Sequence, residues 1–337
     1  MKKLRLPSIA LGLALLAPAA ARAEEVPWYD RPSCQQANDL FLSLEAEKAD
    51  EAARRLEASK DLDDLACALW IRVSFSEFQV GLFGKTPENL SQRKKVLTRL
   101  FGFSKANKAK GPRFADLELE ARLRRTRILN EEGQRTQALD ELKQLQKLVS
   151  ERDPALPPTP PLLYTKGVMN AALSSPGWAA RTVLSIAGLN VDPAVGAEHL
   201  HKLVDGSSVY RGDAAYVSHF FGEEIGEKYF RAPASYTRII AEKYPTNPQF
   251  SYERATDLLA EKKPAEALAQ VAPVALRIDA SPGLWSPPLR AKILYATARC
   301  LAATGKKDEA KKRALAAKAE RYGELADKIS DLIDELE

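Results

Sequence analysis

The only three histidines in the 337-residue chain, His199, His201 and His219, all fall within one short stretch. Histidines gathered in this way are the first place to look for a metal centre or a general acid–base pair. Their spacing argues against both. His199 and His201 stand two apart, which on a helix points their rings about 200° away from each other. Glu198 beside them completes no His-Glu-x-x-His pair, because no second histidine lies at the needed spacing. The three cysteines, Cys34, Cys67 and Cys300, lack the close grouping of a zinc site. No GxSxG elbow, Ser-x-x-Lys pair or Cys–His couple stands in a credible catalytic context. The expectation is therefore a protein without catalytic residues, metal or cofactor.

Two other concentrations suit binding rather than bond-breaking. Between Gln92 and Arg127, twelve Lys and Arg residues, among them Arg93, Lys94, Lys95, Lys105, Lys108 and Lys110, face only Asp116, Glu118 and Glu120. This run is a candidate patch for an anionic surface, be it lipid, phosphorylated glycan or acidic protein; a solvated helix face is the plain alternative. Ten of the chain's 25 aromatic residues lie between Tyr210 and Tyr252. Most belong in a core. Tyr210, Tyr216 and Phe220 are candidates to face a partner, with Arg211 placed to hold a carboxylate or phosphate.

The elements that must position these residues are helices. Apolar residues recur three and four apart in segment after segment, and period-two alternation is almost absent. "FADLELEARLRRTRILNEEGQRTQALDELKQLQKLV" reads as two helices broken at Gly133, and "PLRAKILYATARCLAATGKKDEAKKRALAAKAERYGEL" as two broken at Gly305. Counting from Ala310, a small residue stands twelve positions earlier (Ala298), an apolar one nine earlier (Leu301), a turn residue five earlier (Gly305) and a small one seven later (Ala317). The template recurs at Ala267 with Ala255 and Leu258, at Ala138 with Thr126, Leu129, Gly133 and Leu145, and more poorly around Ala52. Small residues suit these slots because the two helices of a hairpin cross closely there.

On these residues the chain resembles tetratricopeptide repeat proteins, and the resemblance implies an all-α fold of helical hairpins stacked as a curved array. Residues 163 to 275 resemble something narrower. Gly167, Asn170, Ala172 to Ser174, Pro176, Leu184 to Gly188, Asp192, Gly196, Leu200, Arg211, Tyr244-Pro245 and Phe250 look like the central region of the tetratricopeptide repeat 39 and inclusion-body-clearance family. That resemblance implies a non-enzymatic helical-repeat protein and names no ligand. "GVMNAALSSPGWAARTVLSIAGL", Gly167 to Leu189, is apolar enough to raise a membrane span, but Pro176 and Arg181 oppose one. It reads as two short buried helices meeting at a Ser-Pro-Gly turn.

The chain opens as a secretory signal peptide. Lys2, Lys3 and Arg5 precede an apolar run from Ile9 to Leu16 that ends at Ala21-Arg22-Ala23. Loss of residues 1–23 takes four basic residues with it and lowers the formal charge from +5 to +1, which leaves a nucleic-acid role without electrostatic support. In an oxidising compartment Cys34 and Cys67, expected on neighbouring antiparallel helices, are a candidate disulfide; two unpaired core thiols are the alternative. The expected organisation is a leader (1–23), an N-terminal hairpin block (24–152), a proline-rich link (153–162), a central helical segment (163–245) and C-terminal hairpins (246–337). The expected role is an exported, soluble scaffold, periplasmic or secreted, that docks a protein or peptide of the cell envelope. A carrier of an apolar, lipid-like ligand under the aromatic-rich centre is the alternative.

Overall fold

A computed structural model describes residues 26–152, 154–174 and 191–337. The expected leader (1–23) and the stretch around Pro176, Trp178 and Arg181 lie outside these residues. Among the described residues there are fifteen α-helices and no strand. The first six are α1 (Pro32–Leu42), α2 (Ala46–Ala58), α3 (Leu62–Phe83), α4 (Pro87–Asn107), α5 (Pro112–Glu131) and α6 (Arg135–Glu151). The next five are α7 (Pro160–Ser174), α8 (Pro193–Asp205), α9 (Tyr210–Ile225), α10 (Pro233–Lys243) and α11 (Pro248–Ala260). The chain ends in α12 (Pro264–Ala280), α13 (Pro287–Ala303), α14 (Lys307–Ala319) and α15 (Ala326–Glu335). Neighbours in sequence pack as neighbours in space, and first helices of successive hairpins also touch, as α11 does α13 and α5 does α7. This is a tetratricopeptide-like stack of helical hairpins.

One turn is used four times. Gly133 and Gly305 take positive φ at the α5–α6 and α13–α14 corners (75° and 82°), and Leu44 and Lys262 do the same at α1–α2 and α11–α12 (56° and 60°). At each corner the following amide donates back to a carbonyl five residues earlier: Glu45 to Leu40, Gln134 to Leu129, Lys263 to Leu258 and Lys306 to Leu301, all at 2.8–3.0 Å. These bonds satisfy carbonyls that the ending helix leaves open. Five residues beyond each corner stands a buried alanine: Ala49, Ala138, Ala267 and Ala310. Each is twelve residues past a buried small residue of the first helix: Ala37, Thr126, Ala255 and Ala298. The fourth copy is therefore anchored on Ala49, three residues before the expected Ala52, which is half-buried.

Prolines start the helices. Nine of the fifteen described helices open on one, because the first turn has no use for the missing N–H and already wants proline's φ. For the same reason the expected link over 153–162 is shorter than its prolines suggest: Pro160 opens α7 and Pro161 follows inside it. The lysine-rich stretch after Ser104 is also helical: α4 runs to Asn107 and a 3-10 turn carries Lys108–Lys110. The core does not divide at the proline-rich segment. A single cluster holds Trp28, Trp70 and Leu117 together with Ala197, Tyr210 and Phe250. Asp116, 1% exposed, ties the segment to α5 by accepting from Arg152 and, at 2.8 Å, from the Thr159 hydroxyl.

The first hairpin closes onto the middle of the chain. Asn247 donates to the Leu42 carbonyl at 2.7 Å, Thr246 to Ser43 at 3.1 Å, and the Tyr244 hydroxyl to Asp39 at 2.8 Å. The Tyr-Pro-Thr-Asn link before α11 thus caps the end of α1. Where α7 crosses α8, Gly167 faces Gly196. A Cβ on Gly196 would sit 2.8 Å from the Ala171 amide nitrogen and 3.1 Å from the Gly167 carbonyl oxygen. Backbone cannot yield as a side-chain tip can, so Gly196→Ala should cost about 1–3 kcal/mol in equilibrium denaturation. An unchanged unfolding midpoint would mean that the two helices do not approach so closely.

Candidate functional site

The polar centre of the molecule is built on α5. Four residues per turn-and-a-bit bring Glu118 under Arg122 and Glu120 under Arg124, and all four are buried. Arg122 pairs with Glu118 at 3.0 Å and with Glu141 of α6 at 2.7 Å. Glu120, 0% exposed, accepts from the Trp70 indole at 3.0 Å, from Arg124 Nε at 2.8 Å and from the Tyr210 hydroxyl. Arg124 also reaches Glu77 of α3, the Ser74 hydroxyl at 3.3 Å and Asp213 of α9 at 3.9 Å. One guanidinium is shared by three carboxylates. Burial opposes its charge, but Glu77 and Glu120 outweigh burial and hold its pKa well above the usual arginine value.

Around this centre the helices leave a groove. Two adjoining hollows of about 550 and 340 Å³ share Glu77, Arg124, Arg127, Tyr164, Val217 and Phe220. The walls come mainly from α3, α5, α7 and α9, with Phe221, Val168 and Leu173 at one end and Phe78, Tyr216 and Phe250 of α11 at the other. The floor is ionic: Asp213 lines it beside Arg124, with its carboxyl raised to about 7 by burial, which Arg124 opposes and Glu120 and Glu77 reinforce. The Tyr164 hydroxyl is pushed up, chiefly by burial. An apolar wall over a charged floor holds an elongated guest by its body and reads it by its polar groups.

The structure separates the sequence-derived candidates. Tyr216 and Phe220 line the groove. Tyr210 does not reach a partner: it is 0% exposed and packs, tilted, between Trp70 (4.9 Å between centroids) and Tyr164 (5.4 Å), where its ring fills the core and its hydroxyl donates to Glu120. Arg211 is exposed on the other side of α9 and lines neither hollow. The basic run is not one patch. Arg93 is 2% exposed and pairs with Glu131 at 2.8 Å, Lys94 pairs with Glu132 at 2.6 Å, and Lys108 comes to 4.0 Å from Glu118. Burial of Arg93 in particular requires that its charge be met inside the protein. Lys95, Lys105 and Lys110 are exposed and form no ion pair among the described residues. Cys34 and Cys67 are joined in a disulfide between α1 and α3, and Cys300 is buried and free.

The histidines are dispersed. His199 bonds the Val195 carbonyl within its own helix at 2.6 Å, and His201 meets the Tyr236 hydroxyl at 2.5 Å. His219, 1% exposed, lies 3.8 Å from both Glu223 and Glu253. Burial lowers its pKa, but those carboxylates outweigh burial and leave it above the ordinary value. Among the described residues no group of three His, Cys, Asp or Glu side chains is arranged to hold a metal ion, and no helix is long and apolar enough to cross a membrane.

No protein-family model matches the chain, and no curated protein matches it. Among solved structures, a tetratricopeptide repeat protein from Parabacteroides merdae ATCC 43184 is similar at 14% identity and a TM-score of 0.35, over 90% of this chain and 98% of that one. The hairpin architecture stands on the repeated turn and the packing described above rather than on this likeness.

Proposed function

We propose that this is a non-enzymatic helical-repeat protein, exported by its leader, that docks a peptide segment of an envelope protein in the groove between α3, α5, α7 and α9. The observation that carries the reading is the groove itself: preformed, aromatic-walled and floored by fixed charges, so that a guest need not order it on binding. The Cys34–Cys67 disulfide supports the export part, because such bonds persist in oxidising compartments. The resemblance of residues 163–275 to the inclusion-body-clearance family agrees with a binding role and supplies no partner. The alternative, a lipid-like guest, is disfavoured by the floor, where hydrocarbon would cover Glu77, Arg124 and Asp213 without offering a hydrogen bond.

A photo-cross-linking residue in place of Phe220 tests this directly. Irradiated in native envelope material, it should form peptide-bearing adducts that the same residue at Leu276, 66% exposed on α12, does not form. Equal adducts at both positions would remove the groove from the account. Adducts at Phe220 that contain only lipid would establish the carrier instead.

A further inference from the structure

We propose that His219 is a proton-operated latch between α9 and α11: protonated, it draws in the carboxylates of Glu223 and Glu253 and fixes the Phe250 end of the groove, and neutral, it lets that seam slacken. The latch goes beyond the docking role and does not depend on what the groove holds. Tyr216 of α9 meets Phe250 of α11 at 5.5 Å between ring centroids, and both rings line the smaller hollow. Three residues on in each helix, His219 meets Glu253. His219 is 1% exposed, and neither of its ring nitrogens has a hydrogen-bond partner. Its Nε2 lies 3.8 Å from Glu223 Oε1 and 3.8 Å from Glu253 Oε2, outside hydrogen-bonding range but within reach of a charge. A neutral imidazole keeps a lone pair that these acceptors cannot fill, and stranding it in the interior is costly. An imidazolium has no lone pair, offers two donors and matches the carboxylates in charge. A shift of about 1 Å would bring either carboxylate into hydrogen-bonding range.

The surroundings favour the charged form. On its own helix His219 faces Glu223, with Glu224 acting on Glu223 in turn. On α11 it faces Glu253 and Asp257, and Arg254, which acts on Asp257, is paired with Glu261 at 3.2 Å. From α10 the Thr237 hydroxyl donates to Asp257. From α13 Lys292 donates to Gln249 Oε1 at 3.3 Å, and the Gln249 amide donates to Glu253 Oε1, which leaves Oε2 for His219. From α5 Arg127 acts on Tyr216, one turn away. Burial lowers the imidazole pKa from 6.5, and Glu253, Glu223 and Asp257 outweigh burial and raise it. A value raised in the folded state means that the latch stabilises in full below the unfolded value and is lost as pH rises through the folded one.

Imidazole NMR of the whole protein tests this cleanly, because the chain has only three histidines. His219 is assigned through Phe220, whose ring it meets edge-on at 5.1 Å, and His201 through Tyr236. In the parent His219 should titrate above 6.5, and in Glu253→Gln its value should fall. Amide exchange, corrected for its intrinsic pH dependence, should quicken at α9 and α11 between about pH 6 and about pH 9, by about tenfold for each unit by which the folded value exceeds the unfolded one. The exchange of α14, in a separate cluster of the core, should not follow. His219→Gln should flatten the rise. Asp213, raised to about 7 in the same hollow, contributes equally to the parent and to His219→Gln, so the difference between them belongs to His219. Equal acceleration in both proteins would overturn the latch. So would a parent His219 that titrates at or below 6.5, an outcome that needs neither variant to fold.

Discussion

Replacing Glu120 by alanine should destabilise the protein by about 3–5 kcal/mol, the loss expected when one member of a buried ion pair is removed and the other stays behind. Glu120 is 0% exposed and receives Trp70, Tyr210 and Arg124 from α3, α9 and its own helix. Without it, an indole N–H and a phenol O–H lose their acceptor in a place water does not reach, and Arg124 keeps Glu77, the Ser74 hydroxyl and the more distant Asp213. Glu120→Gln keeps an acceptor oxygen for one or two of these donors and should cost less than alanine, although its amide N–H brings a donor where all three neighbours also donate. Equilibrium denaturation of both variants checks the order. An alanine variant within about 1 kcal/mol of the parent would mean that the network is not the clamp that the geometry implies. The consequence reaches the groove, because Arg124, which Glu120 holds, lines both of its hollows.

Local information settles the hairpins. The corners at Gly133 and Gly305 are visible as glycines, and the positive φ they adopt is the reason glycine stands there. The corner at Leu44 uses the same backbone without the residue that advertises it, at a steric cost of roughly 1 kcal/mol, so the first repeat is legible only as a poor copy displaced by one helical turn. Proline misleads in the opposite way. Pro160 and Pro161 read as a stiff link but open α7, since proline's position relative to a helix start, rather than its number, decides what it does.

The candidate site is harder to read, because its chemistry depends on partners far apart in the chain. The run from Arg93 to Arg127 looks like a cationic surface when only Asp116, Glu118 and Glu120 are counted against it. In the fold Glu57, Asp63, Glu77 and Glu141 arrive from other helices to pair with it, and Glu131 at the end of α5 meets Arg93 of α4. A surplus of positive charge along the sequence is thus met by carboxylates that the fold brings to it. The aromatic run between Tyr210 and Tyr252 does point to the right helix, and periodicity alone cannot say which ring faces inward: Tyr210 is sealed in the core while Tyr216 and Phe220, six and ten residues on, border the hollow. Asp213 between them carries no signal of its own, since only its distance to Arg124 and its burial make it unusual.

Breaking the disulfide gives the second large effect. Cys34→Ala with Cys67→Ala should lower stability by roughly 3–4 kcal/mol, the loop-closure value for residues 33 apart. The bond joins α1 to α3, and α1 is the helix whose end is capped by Asn247 and Thr246 of the link before α11. The disulfide therefore holds more than its own loop: it keeps the first hairpin in place against a segment 200 residues on. Two readouts follow. Denaturation of the oxidised parent should show a higher midpoint than the double variant, and the gap should vanish when the parent is unfolded in strong reductant. In the variant, amide exchange should quicken first at the α1 end and at the Tyr244–Asn247 link, ahead of α13 and α14, which belong to separate clusters of the core. Uniform acceleration across all helices would mean that the hairpins unfold as one cooperative body, and that the first of them is not the edge on which the closure depends.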